Sequence, residues 1–230
     1  MPAASTTLRV LAASVIASLS VTGCQSLDDA GVALGRSDLV NDLAARMDRA
    51  LERTWAAEYQ LGGGQVASVA QTRKPLRSSY AWPGGKITVT QESVTRCAST
   101  TGRTSCTVSP PLLTAGKPSV IVYDEVRKQG QITPPAVIRL LTEAALAPDA
   151  VIEQSDTTLA GHHATCVDVS HAGERFAACV TNEGVLGSFT GTLDGKPAEM
   201  TLSRYTETVE AASFAVPAGA GVVDRRTTTS

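Results

Sequence analysis

Four cysteines set the strongest constraint on how this chain can fold. Cys97 and Cys106 are centred on Thr101-Gly102, and Cys166 and Cys179 on Ala172-Gly173. Each pair is symmetric about a two-residue turn containing Gly, the commonest connection of a β-hairpin. The residues flanking the turns, Thr100/Arg103 and His171/Glu174, then form hydrogen-bonded pairs. Cys97/Cys106 lies three steps out and Cys166/Cys179 five. Odd steps fall on non-hydrogen-bonded pairs, where Cα atoms are ~4.5 Å apart, a distance a disulfide accepts. Four cysteines allow three pairings. The spacing selects Cys97–Cys106 and Cys166–Cys179, and each pair commits its flanks to antiparallel strands.

The fifth cysteine sits in a different setting. Residues 1–9 carry one charge, Arg9, and Val10 to Val21 is apolar or small throughout. Leu19-Ser20-Val21-Thr22-Gly23-Cys24 follows as a small-residue cleavage site. That is the order of a secretory signal. The apolar run is too short for a transmembrane helix, which needs roughly 20 residues to cross ~30 Å of hydrocarbon. The Val-Thr-Gly-Cys end resembles the lipobox of bacterial lipoproteins. The resemblance implies that Cys24 receives a diacylglycerol, that the signal is cut before it, and that the mature chain is 24–230. Two or three acyl chains hold a protein stably where one anchors marginally. The expected location is the outer, periplasmic or extracellular, face of the cell membrane. The plainer alternative is a secretory signal whose cleavage site happens to end in Cys. Export in either form places the four remaining cysteines where disulfides persist.

Of the 20 basic residues, Arg9 leaves with the signal, so 19 face 22 acidic ones, a net charge of −3. No basic stripe interleaves with aromatics, so nucleic acid is not an expected partner. Aromatics make up 4 % of the chain, too few for platforms that stack bases or sugars. Thr and Val are abundant, and both favour strands.

The expected organisation is a signal over 1–23, a lipidated tether over 24–36, one domain over 37–217 and a flexible tail over 218–230. Ser37 is a candidate N-cap for a helix with Leu39, Leu43, Met47, Ala50 and Leu51 at helical spacing. Strands follow over 55–61 and 65–72 around Gly62-Gly63-Gly64, and over 76–82 and 86–92 around Pro83-Gly84-Gly85. Then comes the first cysteine hairpin. Residues 119–123 read as a buried strand or part of a helix. A second helix starts at Thr133-Pro134-Pro135, with Val137, Leu140, Leu141 and Ala144 on its apolar side, and stops at Ala147-Pro148. Strands resume over 151–154, 163–169, 175–180, 185–192 and 199–206, with Phe214-Ala215-Val216-Pro217 as a last edge segment. The expected class is α+β: a curved antiparallel sheet, or half-barrel, with helices packed on its concave side.

This order resembles the LolA/LppX/LprG type of envelope lipoprotein over roughly 38–217. The likeness rests on the first amphipathic helix, the hairpin over 55–72, the internal helix at 134–146 and the closing Gly184-Val185-Leu186 and Phe214-Ala215-Val216-Pro217 segments. The two hairpin disulfides depart from that family's general pattern. The resemblance implies a lipid or lipoprotein acyl chain held in an apolar cavity. Leu39, Leu43, Met47, Val137, Leu140 and Leu141 would line or cap it, the alternative for each being ordinary core. The competing function is an envelope protein-interaction or sensor module of the same fold, with a packed core and a protein partner.

The residues give enzymatic chemistry little footing. Gly187-Ser188-Phe189-Thr190-Gly191 has its Ser out of position for a nucleophile elbow. Asp28-Asp29 and Asp124-Glu125 are adjacent carboxylates, which read as a tether and a solvated turn. Gly62-Gly63-Gly64 does not open a phosphate-binding helix. Two Cys and two His from His162, His163, Cys166, His171 and Cys179 could form a zinc set. The oxidising compartment favours the disulfide instead, and adjacent His162 and His163 point to opposite faces of a strand. The expectation is a non-enzymatic protein with no cofactor and no metal.

Overall fold

The computed structural model describes residues 23–114 and 116–226, with side chains described from Gly35 onward. Residues 1–22 of the expected signal, the Cys24 side chain and residues 227–230 of the expected tail lie outside it. A long helix, α1 (Gly23–Ala50), opens the described chain. A first meander follows: β1 (Trp55–Leu61), β2 (Val66–Thr72), β3 (Arg77–Trp82), β4 (Gly85–Thr90), β5 (Val94–Thr100) and β6 (Arg103–Ser109). A two-strand ribbon of β7 (Leu113–Thr114) and β8 (Lys117–Pro118) leads into α2 (Val120–Arg127) and α3 (Pro134–Leu146). The second meander is β9 (Val151–Leu159), β10 (His162–His171), β11 (Glu174–Thr181), β12 (Leu186–Leu193) and β13 (Lys196–Thr206). A 3-10 turn at Ala211–Phe214 and the short β14 (Gly221–Asp224) close the described chain.

Twelve of these strands form one curved sheet that does not close, in the order β14-β6-β5-β4-β3-β2-β1-β13-β12-β11-β10-β9. The pairing of β1 with β13 splices the two meanders, with Ala57 opposite Tyr205. The fold is α+β, with the three helices on the concave side. Burial alternates along the strands, as a two-residue period requires: Trp55, Ala57, Tyr59 and Leu61 of β1 are all buried. They join α1 and α3 in the larger core, around Leu43, Met47, Val137, Leu141, Val167, Val180 and Phe189. A smaller core gathers Tyr80, Ile87, Val89 and Val94 under Val122, Tyr123 and Val126 of α2.

The cysteine hairpins take the register read from the spacing. Cys97 faces Cys106 and Cys166 faces Cys179, each pair bonded, with Cα atoms 4.0 and 3.9 Å apart. Ala172 and Gly173 both have positive φ (50° and 82°), the geometry of the favoured two-residue turn. Three local expectations differ. α1 begins at Gly23 rather than Ser37, so the expected tether over 24–36 is helical. That stretch lacks an apolar stripe, but its Leu and Ala residues carry good helix propensity. Phe214-Ala215-Val216-Pro217 is the end of a 3-10 turn and a crossing segment, not a strand. The expected tail contains β14, which pairs in parallel with β6, Val222 opposite Cys106.

Candidate functional site

The residues expected to line a cavity are mostly core. Leu43, Met47, Val137 and Leu141 are each 0 % exposed and packed in the larger cluster. Leu39 packs on the edge of that cluster. Leu140 borders a dent of about 70 Å³ beside Val169 and Phe176. Helices α1 and α3 therefore fill the concave face over β9 to β13 and β1. The physical reason is side-chain volume: Leu, Met and Phe189 converge from both layers and interdigitate, as close-packed interiors do.

The concave face is open elsewhere, where the sheet outruns its helices. Antiparallel register builds two adjacent rows across β3 to β6. Tyr80, Ile87, Arg96 and Thr107 form one, and Trp82, Gly85, Ala98 and Ser105 the other. α2 stands over the first row and leaves a groove of about 460 Å³ along the second. Its floor holds Trp82, Ile87 and Ala98, and Glu125, Lys128 and Gln129 line its wall. Gly85 is obligatory in that floor. A Cβ there would lie 2.4 Å from the Cys97 carbonyl oxygen and 3.1 Å from the Trp82 ring, so the missing side chain makes room for both.

One ion pair ties the wall to the floor. Arg96 Nε donates to Glu125 Oε2 at 2.6 Å and Nη2 to Oε1 at 2.8 Å, a two-point fork. Both side chains are about one-third exposed (30 and 31 %). The pair fixes α2 against β5 and leaves Lys128 as a further cation at the groove. Val120 and Ile121, adjacent on the first turn of α2, are 70 and 55 % exposed. Trp82, Arg96 and Glu125 do not stand out as a group in the sequence. Their convergence depends on the register of four strands and on α2 being a helix, which residues 119–123 alone leave open.

The histidines do not converge with the cysteines. Cys166 and Cys179 are spent in their disulfide. His162 Nδ1 lies 3.1 Å from Glu183 Oε1, and His171 Nδ1 lies 3.2 Å from Asp149 Oδ1. Burial pushes the Glu183 carboxyl up, but hydrogen bonds from His162, its own backbone and Thr181 outweigh burial and hold it below the usual range. Among the described residues, no three His, Cys, Asp or Glu side chains are placed to hold a metal ion. Glu125, half of the adjacent pair Asp124-Glu125, is engaged by Arg96, while Asp124 accepts from Arg127 at 3.0 Å.

These features define an α+β protein with a curved open antiparallel sheet, a filled concave core and one flank groove. No family model matches the chain. No curated protein matches it. Among solved structures, it is similar to an uncharacterized conserved protein from Thermus thermophilus, at 15 % identity and a TM-score of 0.47, covering 80 % of this chain and 98 % of that one. It is also similar to MucB in complex with MucA(peri), at 13 % identity and a TM-score of 0.46, covering 80 % of this chain and 62 % of that one. MucB alone gives 12 % identity, a TM-score of 0.43 and coverage of 80 and 66 %. This chain thus spans less than two thirds of the MucB chains. Scores of this size assign neither a family nor an activity. No helix among the described residues is long and apolar enough to cross a membrane.

Proposed function

We propose that this chain is an envelope protein-interaction module, held at the outer face of a membrane by lipid on Cys24. In this reading it takes a protein segment in the groove between α2 and β3–β6. The two disulfides support an extracytoplasmic setting, because such bonds persist in oxidising compartments. The observation that carries the binding mode is the filling of the concave face by α1 and α3. Leu43, Met47, Val137 and Leu141 are fully buried, which supports a packed core over an acyl-chain cavity. The flank groove instead combines apolar floor residues with a charged rim, which suits an apolar protein segment with polar flanks. Exposed Val120 and Ile121 extend the apolar surface along the same helix.

A second reading, lipid binding, is favoured by one observation: the groove's floor is Trp82, Ile87 and Ala98. A photo-crosslinking residue in place of Ala98, in the full chain expressed in its native envelope, separates the two. A discrete protein adduct, lost when Trp82 is changed to Ala, is the expected result. A lipid adduct without a protein adduct overturns the interaction reading.

A further inference from the structure

The convex face carries a second, half-open space, on the opposite side of the sheet from the helices. After β13 the chain turns back over this face, passes through the 3-10 turn at Ala211–Phe214 and reaches the far edge as β14. This strap is tied down twice. Lys86 Nζ donates to the Ala215 carbonyl at 2.9 Å, and the Arg77 guanidinium lies 4.3 Å from the centre of the Phe214 ring. Below it, register aligns two convex rows. One runs Thr206, Ala56, Ala70, Ser79, and the other Arg204, Glu58, Ser68, Ala81, Lys86. Small side chains make a floor, and long charged ones stand at both ends. The strap residues Thr208, Glu210 and Ser213 line the space with them, and about 470 Å³ is left between. That is within the range of small-molecule sites.

Three side chains in this space have bonding capacity left over: Ser79, Lys86 and Glu210. Ser79 is 3 % exposed, borders the space and makes no side-chain hydrogen bond among the described residues. Its hydroxyl is not sealed inside the protein, so a ligand or water in the space can reach it as a partner. Lys86 is held by a carbonyl, and no carboxylate among the described residues pairs with it. Burial pushes its amine below the ordinary value. Glu210, on the strap, likewise pairs with no cation among the described residues, whereas Glu58 is taken by Arg204.

We propose that the space under the C-terminal strap binds a small zwitterion of amino-acid or dipeptide size, its carboxylate on Lys86, its ammonium on Glu210 and a polar group on Ser79. A floor cation with no carboxylate partner and a roof anion with no cation partner match the two ends of such a molecule. The Ser79 hydroxyl lies on the same floor, opposite Ala70. Aromatic side chains are absent from the lining, which argues against a ligand that must be stacked.

The test is titration of the exported, disulfide-bonded chain with L-alanyl-L-alanine, followed by calorimetry and by amide shifts in an NMR spectrum. The expected result is saturable binding that moves the amides of Ser68, Ser79 and Thr208. Lys86→Met, Glu210→Gln and N-acetylation of the dipeptide should each weaken it about tenfold, the scale of one charge-assisted hydrogen bond. Because Lys86→Met also cuts a tie to the strap, Ser79→Ala serves as a second variant that leaves both ties in place, and it should weaken binding several-fold. No saturable binding at the solubility limit of the dipeptide overturns the proposal. So does equal affinity for the acetylated dipeptide, or unchanged affinity in Lys86→Met or in Ser79→Ala.

Discussion

Gln71 Nε2 donates to the Ala50 carbonyl at 3.0 Å, in a site where Gln71 is 2 % exposed. The same oxygen accepts from Trp55 Nε1 at 2.9 Å, and Gln71 reaches the Arg53 carbonyl at 3.1 Å. A helix end leaves its last carbonyls without partners. Here α1 ends inside the larger core, so β1 and β2 supply the donors. Gln71 faces the concave side at a position where its neighbours Ala67 and Val69 are apolar. Its role follows from that contrast: a polar residue on an apolar face, satisfied by a helix terminus. Gln71→Leu keeps the volume and removes the donor. It should cost about 1 kcal/mol, the net worth of the hydrogen bonds lost, since Trp55 still serves the Ala50 carbonyl, read as a lowered urea midpoint with an unchanged denaturant slope.

Gly184 holds the other contact with α1. It turns between β11 and β12 with φ +87°, and a Cβ there would lie 2.0 Å from the Arg46 carbonyl oxygen. Backbone strain and collision act together, since positive φ alone already disfavours a side chain. Gly184→Ala should destabilise by about 3 kcal/mol or more, because the backbone on both sides must separate. Gly173→Ala, with positive φ but nothing within 4 Å of a Cβ, should cost about 1 kcal/mol. Equal losses in the two variants, measured by chemical denaturation, would contradict the close approach.

Leu43 and Leu141 test whether the concave side is solid. Both are 0 % exposed and belong to the cluster that α1, α3 and the sheet share. Truncation of a packed leucine to Ala costs about 2–5 kcal/mol, while a side chain facing an empty slot loses much less. Leu43→Ala and Leu141→Ala should each fall in that upper range by urea denaturation. Losses under about 1 kcal/mol in both would mean that the helices stand off the sheet.

Acid should weaken the chain partly through Glu183. Its folded pKa lies below the ordinary value of 4.5, despite burial, because His162 and nearby donors bond the carboxylate. A depressed carboxylate contributes stability that is fully present above the unfolded pKa and is lost as pH falls through the folded one. The pair is about one-quarter exposed (28 and 25 %), so the contribution is about 1 kcal/mol or less. Urea midpoints measured between about pH 6 and pH 3 should fall less steeply in Glu183→Gln than in the unaltered chain. Identical slopes would show that the His162 contact does not favour the charged carboxylate.

The parts of the fold legible in the sequence are those fixed by short-range geometry. Thr101-Gly102 and Ala172-Gly173 placed both cysteine pairs in register, and Thr133-Pro134-Pro135 marked the start of α3, where the Thr133 carbonyl accepts from Ala136 and Val137. What escaped was set by distant contacts. β14 has four exposed residues and no alternation of apolar and polar ones, so Val222-Val223 is its only local strand signal; it forms on the β6 edge, which offers its backbone groups. α1 runs past Ser37 on propensity rather than on an apolar stripe. The flank groove and the space under the strap are products of cross-strand rows, and one-dimensional spacing does not display rows. A trace of the convex site was present: Ala56, Ser68, Ala70, Ser79 and Ala81 occupy alternating positions where a solvent-facing sheet usually carries longer polar side chains.

Native mass spectrometry of the chain from Gln25 onward, exported and with both disulfides formed, tests the central claim of a filled half-barrel most directly. The chain should fly at its unliganded mass and take up no phospholipid or glycolipid added before analysis. A lipid retained at one equivalent per chain, identified after extraction, would contradict the packed core and return the concave face to the role of a lipid cavity.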